Sequence, residues 1–275
     1  MLRSIGKLFG FTLTLAVVCL AVPGWADTTL YSTGFENPPF TTGALDGQDG
    51  WNSFGPGNPI VENFFADTGS QAVFLDGSVA TQSGPFHADA SAGPLIDLSA
   101  DLAIFTSSSE SQWQFAALSP GLAGYLGGIN ILPGGAIYDI TASATQIGTF
   151  ALATAFDSSA WVNVNLLFDI ATQTYDISVG GVMLASNVPF CGSDIGCSGA
   201  ALTYGDGLFD TFGQTSPGIT APTNDSAYMD NYSVTLVTSS VPEPSSVLLL
   251  LTALLGGIGI ELRRRSSART ARGSV

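Results

Sequence analysis

Residues 161–186 read WVNVNLLFDIATQTYDISVGGVMLAS, and the alternation within them decides the fold. Val162, Val164, Leu166, Phe168 and Ile170 alternate with Asn163, Asn165 and Asp169, a period of two that turns one face toward a core and the other toward water. After the turn-like Ala171, Thr172 and Gln173, alternation resumes with Tyr175, Ile177 and Val179 set against Thr174, Asp176 and Ser178. Gly180 and Gly181 then offer a tight reversal into Val182, Met183 and Leu184. Three successive antiparallel strands are predicted.

Working outward, similar short runs occur at QAVFLDG (71–77), QWQFAAL (112–118), GGINILPGG (127–135), AIYDITA (136–142) and YMDNYSVTLV (228–237). Gly, Pro, Ser and Thr recur between them, and no interior segment keeps a helical period over ~12 residues. The stretch 97–105 leaves room for one short helix, with Asp97 or Ser99 as its cap. Many short strands with turn signals between them predict an all-β fold, a two-sheet antiparallel sandwich built as one domain over residues 27–240.

Charge narrows the function. All seven basic residues are terminal: Arg3, Lys7, Arg263, Arg264, Arg265, Arg269 and Arg272. Of the 22 acidic residues only Glu243 and Glu261 lie outside 27–240, so that region is strongly anionic and has no Lys or Arg at all. A nucleic-acid binder must neutralise phosphates with cations, so nucleic acid is excluded as a partner. Anionic polysaccharides would be repelled unless a divalent metal bridged the two sets of carboxylates. Neutral glycans, basic partners and calcium fit.

The N-terminus has Arg3 and Lys7, an apolar run over 8–22 and then Gly24, Trp25 and Ala26. These are the parts of a secretory signal peptide, with cleavage expected after Ala26 by the secretion machinery and its signal peptidase. Past that point only Cys191 and Cys197 remain, closing a Gly- and Ser-rich loop, and in an exported chain such a pair reads as a local disulfide. With one histidine they cannot furnish the usual four ligands of structural zinc.

At the other end, residues 247–260 are uncharged and mostly apolar. A helix of that length reaches roughly 21 Å at ~1.5 Å per residue, short of the ~30 Å hydrocarbon core. Extended to 247–262, with the arginines snorkelling, it forms a weak transmembrane anchor whose Arg263 to Arg265 stay cytoplasmic. Pro242 and Pro244 keep the preceding stretch extended and accessible to a processing enzyme.

Pro242-Glu243-Pro244, the apolar run and Arg263-Arg264-Arg265 together resemble the PEP-CTERM sorting signal of Gram-negative bacteria over residues 241–265, with 266–275 as a longer cytoplasmic tail than usual. The resemblance implies exosortase as a partner and an inner-membrane precursor later released to the cell surface or extracellular matrix. Within the domain, TLYSTGFENP, GALDGQDGW, the 161–181 segment and AYMDNYSV resemble concanavalin A-like and laminin G-like jelly rolls. That resemblance implies a jelly-roll sandwich, with a galactose-binding-like jelly roll as the alternative.

Jelly rolls of this kind include glycoside hydrolases, which need two carboxylates across a cleft. No Glu here has an Asp two positions later, and Glu36, Glu62 and Glu110 sit in separate segments. No Gly-x-Ser-x-Gly occurs, and His87, read as part of a turn in GPFHADAS, is the one imidazole. Calcium is the more credible chemistry. First and last strands of such folds pair, which would bring Glu36 and Asp230 together as candidate ligands. Trp51, Phe54, Trp113, Tyr125 and Tyr204 are candidate aromatic platforms for sugar, although Trp51 and Trp161 read better as core or sheet-edge anchors. The expected role is noncatalytic: an exported surface or matrix protein that associates with exopolysaccharide in a biofilm, with a secreted polysaccharide-active enzyme as the alternative.

Overall fold

The computed structural model describes residues 27–54, 59–77, 84–89, 95–106, 111–118, 125–141, 143–190, 208–214 and 225–238. The signal segment, the Cys191–Cys197 pair, Tyr204, Glu110 and the sorting motif from Pro242 to Arg265 lie outside them. Among the described residues no helix is long and apolar enough to cross a membrane. Residues Asp27–Val237 form one compact unit.

Among the described residues sixteen strands build it: β1 Thr28–Thr33, β2 Gly43–Ala44, β3 Asn52–Phe54, β4 Ile60–Glu62, β5 Ala72–Asp76, β6 Gly84–Asp89, β7 Leu95–Phe105 and β8 Trp113–Leu118 make the first half. The second half is β9 Tyr125–Ile131, β10 Ala136–Asp139, β11 Gln146–Thr149, β12 Val162–Asp169, β13 Thr174–Val179, β14 Val182–Pro189, β15 Leu208–Gln214 and β16 Ser226–Leu236. The larger sheet runs β14-β13-β12-β7-β16-β5-β4-β2, with β1 also pairing β16; the smaller runs β11-β10-β9-β8-β15-β6-β3. All neighbours are antiparallel, so the fold is the expected two-sheet jelly-roll sandwich. The segment read first forms β12, β13 and β14, with Val164 opposite Val179 and Val179 opposite Val182.

One expectation fails. The stretch 97–105 is not a helix but the greater part of β7, bonded to β12 on one side and β16 on the other. Ile96, Leu98, Ala100, Leu102 and Ile104 are all buried in the core while Asp97, Ser99 and Asp101 face outward. Period two therefore wins over the capping potential of Asp97 and Ser99, because a helix would have scattered those five apolar side chains around its circumference.

The core between the sheets takes the inward side chains of both: Leu98, Leu166, Phe168, Ile177 and Val234 from the larger, Trp113, Phe115, Ile129 and Ile137 from the smaller. Burying each such side chain is worth about 1.5–3 kcal/mol. Tyr175 reaches across this layer to donate to the Gly128 carbonyl at 3.1 Å, which satisfies its buried hydroxyl.

Chain ends meet at β16. Its first half pairs β5 and its second half pairs β1, from Thr28 opposite Leu236 to Thr33 opposite Tyr232. Opposite β7 the register slips between Asp230 and Ser233, and Asn231 takes a positive φ of 48°. The bulge aims Asp230 and Asn231 at the segment that follows β4.

Candidate functional site

The first candidate site lies where β1 ends against that bulge. The Thr33 hydroxyl oxygen accepts from the Phe35 N–H at 2.9 Å, and Phe35 itself has a φ of 59°. This turn sends Glu36 over residues 67–71. Glu36 Oε1 accepts from the N–H groups of Ser70 (2.7 Å) and Gln71 (2.9 Å), and Oε2 from the Ser70 hydroxyl (2.8 Å). Burial pushes its carboxyl up, but those bonds to Ser70 and Gln71 outweigh it and leave the pKa below the ordinary value.

Asp230 holds the other end of the same loop. Its Oδ2 accepts from the N–H groups of Asp67 (3.0 Å) and Thr68 (3.1 Å), and its Oδ1 from that of Asn231 (2.7 Å). The residue is 0% exposed. Desolvation therefore dominates, and despite three backbone donors its pKa is pushed up to about 6. Asn231 ties in two more acids, donating through Nδ2 to Asp67 Oδ2 and Asp101 Oδ2 at 2.9 Å each. Burial and then the Asp101 charge hold Asp67 above its ordinary range.

The predicted pair is thus brought to one place. A Cβ on Gly34 would lie 3.6 Å from Asp230 Oδ1 and 4.0 Å from Glu36 Cγ. Glu36 Oε2 and Asp230 Oδ1 each accept a single bond and keep a further lone pair. Among the described residues no group of three or more His, Cys, Asp or Glu side chains is arranged to hold a metal. A cation here would draw on those two oxygens, with backbone carbonyls and water completing the set.

Other expected positions resolve differently. Trp51 and Trp113 are each 1% exposed and belong to the core, so neither is a sugar platform. His87 sits on β6 rather than in a turn, stacked on Tyr31 with centroids 4.0 Å apart and with Nε2 3.3 Å from the Asp49 carbonyl oxygen. The Tyr31 hydroxyl donates to Asp49 Oδ2 (2.8 Å) and accepts from Trp51 Nε1 (3.1 Å). Tyr125 is half-buried against Ala116 and Ile140.

A second candidate site was not anticipated. On the outer face of the smaller sheet, Gln114 of β8 stands opposite Asn130 of β9, Asn130 opposite Tyr138 of β10, and Tyr138 opposite Gln146 of β11. One polar row thus crosses four strands, roughly 14 Å at ~4.8 Å per strand. Gln114 Nε2 donates to Asn130 Oδ1 at 2.9 Å, and the Tyr138 hydroxyl lies 3.4 Å from Gln146 Oε1. Burial falls along the row from Gln114, 5% exposed, to exposed Gln146. Among the described residues Gln114 Oε1 is buried with no partner. Turning the amide over only exchanges an orphan acceptor for orphan donors. An unmet amide group of this kind costs about 1–3 kcal/mol, so its position is compensated by something outside the chain or is a plain liability. The sequence signal was there in QWQF, GIN, IYD and TQIG, one amide or phenol per strand, but only the register aligns them.

No family model matches the chain, and no curated protein matches it. Solved structures do. A carbohydrate esterase from the Shiga toxin-encoding bacteriophage phi24B shares 16% identity over 78% of this chain and 100% of its own, with a TM-score of 0.50. A xylan-binding domain from Paenibacillus barcinonensis shares 13% over 78% and 98%, with a TM-score of 0.40. A sialidase shares 11% over 70% of this chain, with a TM-score of 0.48, and the match spans 17% of that longer protein. At 16% identity the likeness to the esterase bears on the fold alone.

Proposed function

We propose that the domain is a noncatalytic glycan-associating module of an extracellular matrix, with a neutral polysaccharide lying along the Gln114-Asn130-Tyr138-Gln146 row. The observation that carries this reading is the cross-strand row itself, which sets amide and phenol groups side by side on one sheet face and opens from buried Gln114 to exposed Gln146. Sugar hydroxyls meet the half-buried Asn130 and Tyr138 and the exposed Gln146, while the Gln114 amide beneath orients Asn130. The absence of Lys and Arg between residues 27 and 240 favours an uncharged chain over an anionic one. Delivery to the cell surface through the 241–265 signal and exosortase completes the proposal.

The test is affinity electrophoresis of the full chain in mild detergent through native gels cast with xylan, a soluble cellulose derivative or mixed-linkage glucan. Retardation in one of these, lost in Gln114→Ala and Tyr138→Ala, supports the reading. Equal mobility of wild type and both variants in every gel removes the row from consideration.

Calcium belongs to the same proposal as a brace for the 67–71 loop through Glu36 and Asp230. A rise in melting temperature in millimolar Ca2+ over EGTA, absent in Glu36→Gln, supports it. Identical melting in both solutions ends it.

One observation favours the enzymatic alternative. Asp67 and Asp101 share the Asn231 amide as a close carboxyl pair, and Asp67 is biased toward its protonated form. Release of reducing ends from the retarding polysaccharide, abolished in Asp101→Asn, would establish hydrolysis in place of simple association.

A further inference from the structure

The outer face of the larger sheet divides in two. Toward β13 and the second half of β16 it is hydrophilic: Asp97 accepts from Asn165, Asp101 from Asn163, and Ser233 and Thr235 continue the rows. Toward β5 it is aromatic. Tyr228 stands opposite Ala103 and Phe74, and the segments around Phe65 and Phe156 lie over them. Phe65 stacks on Trp161 with centroids 4.9 Å apart, Phe156 stacks on Phe105 at 4.3 Å, and Tyr228 meets Phe65 edge-on at 5.1 Å.

Above this layer two rings remain uncovered. Phe64 is 69% exposed and Phe156 53%, in edge-to-face contact at 5.3 Å. The segment that carries Phe156 is held rather than loose. The Ala153 N–H donates to the Ile104 carbonyl, and Asp157 caps the turn over Ser158–Ala160 by accepting from the Ser159 N–H and hydroxyl. Those two Ser159 bonds hold the Asp157 carboxyl below the ordinary carboxylate range, so it stays ionised directly beside Phe156.

We propose that Phe64, Phe156 and Asp157 form a docking site for an arginine-bearing segment of a partner protein. The outer ring, Phe64, offers a π-face to a guanidinium, and the ionised Asp157 gives it a carboxylate. Charge complementarity selects this occupant. From residue 27 to 240 the chain has no Lys or Arg, so no cation of the domain's own competes for the site. Its surrounding field draws cations in. A second copy of the domain carries the same excess of acid and no Lys or Arg, and is repelled. A sugar ring is the poorer fit, because Phe64 and Phe156 meet at 75° and share no plane on which a pyranose could lie.

The probe is a fluorescent peptide of alternating Gly and Arg, with a control in which citrulline replaces every Arg, titrated by anisotropy against the full chain in detergent at 0.3 M NaCl. At that salt the Debye length is below ~8 Å, so diffuse attraction is largely screened. The Arg peptide is expected to bind at least tenfold more tightly than the citrulline one. Phe64→Ala and the Phe64→Ala/Phe156→Ala pair should each lose most of that margin. Asp157→Asn should weaken binding severalfold, while Asp176→Asn, the same charge change on the hydrophilic half, should leave it unchanged. The proposal is overturned by equal binding of both peptides, by unaltered binding in the double Phe variant, or by equal losses in Asp157→Asn and Asp176→Asn. It is also overturned if the double variant abolishes polysaccharide retardation or self-association instead. Unchanged melting of the Phe64→Ala variant keeps a binding loss from being a folding loss.

Discussion

Asp230 should make the protein less stable as the pH rises through 6, and one amide substitution should remove that effect. Its carboxyl is raised from 3.8 to about 6, chiefly by desolvation. A group whose folded pKa lies above its unfolded one keeps its proton in the native state while the unfolded chain has already lost it. Its stabilising contribution is complete below about pH 4 and disappears as the pH climbs past 6. Two pKa units correspond to about 3 kcal/mol, and for a domain of this size to roughly 6–12 °C in melting temperature. Asp230→Asn carries a separate, pH-independent penalty of a few kcal/mol, because its amide nitrogen accepts no hydrogen bond, so either the Asn231 N–H or the N–H groups of Asp67 and Thr68 lose their acceptor. Thermal unfolding of both full chains in EGTA, followed by near-UV circular dichroism from pH 4 to 7.5, reads the difference. Asp67, Asp97 and Glu62 are raised as well, and Glu36 is lowered. Their slopes appear in both proteins and cancel to first order. Wild type should fall relative to the variant by about 2–2.5 kcal/mol across that range; parallel curves would refute the argument.

Three further outcomes follow from the same geometry. Gly69→Ala places a Cβ 2.2 Å from Glu36 Oε1 at a φ of +68°. The carboxylate can swing away only by giving up Ser70 and Gln71, so a loss of about 2–3 kcal/mol is expected by chemical denaturation. Gln114→Leu removes the orphan oxygen, so stability should hold or rise by about 1 kcal/mol in the same assay while glycan retardation disappears. Tyr175→Phe deletes the hydroxyl that donates to the Gly128 carbonyl and should cost about 1–2 kcal/mol, with no change in retardation.

Legibility followed periodicity. β12 and β13 could be placed because each alternates visibly, and β5, β8, β9 and β16 because each is a short run between turn residues. β7 alternates just as cleanly, yet Asp97 and Ser99 also suit a helix start, and local chemistry misled where only the pairing with β12 and β16 could arbitrate. His87 looked like a turn residue for a related reason: Pro85 and two alanines hide a strand whose neighbours are distant in sequence. Glu36 and Asp230 could be brought together because joining the first and last strands is a matter of topology. Their shared hold on the 67–71 loop could not be foreseen, since it depends on a one-residue bulge at Asn231. The Gln114 row and the Phe64–Phe156 pair were hidden more deeply, because cross-strand register and relative exposure are both properties of the assembled sheets.

The position of β16 has a consequence for how the molecule is made. It is the final strand of the domain, yet it runs through the middle of the larger sheet, with β7 on one flank and β1 and β5 sharing the other. During synthesis, β1, β5 and β7 must wait for roughly the last tenth of the domain before they acquire a common neighbour. Contacts of such high sequence separation slow folding and leave long stretches unpaired in the interim. A chain that stops short of Ser226 lacks the strand that joins the two ends of its sheet, so the domain is completed only once its C-terminal residues have emerged.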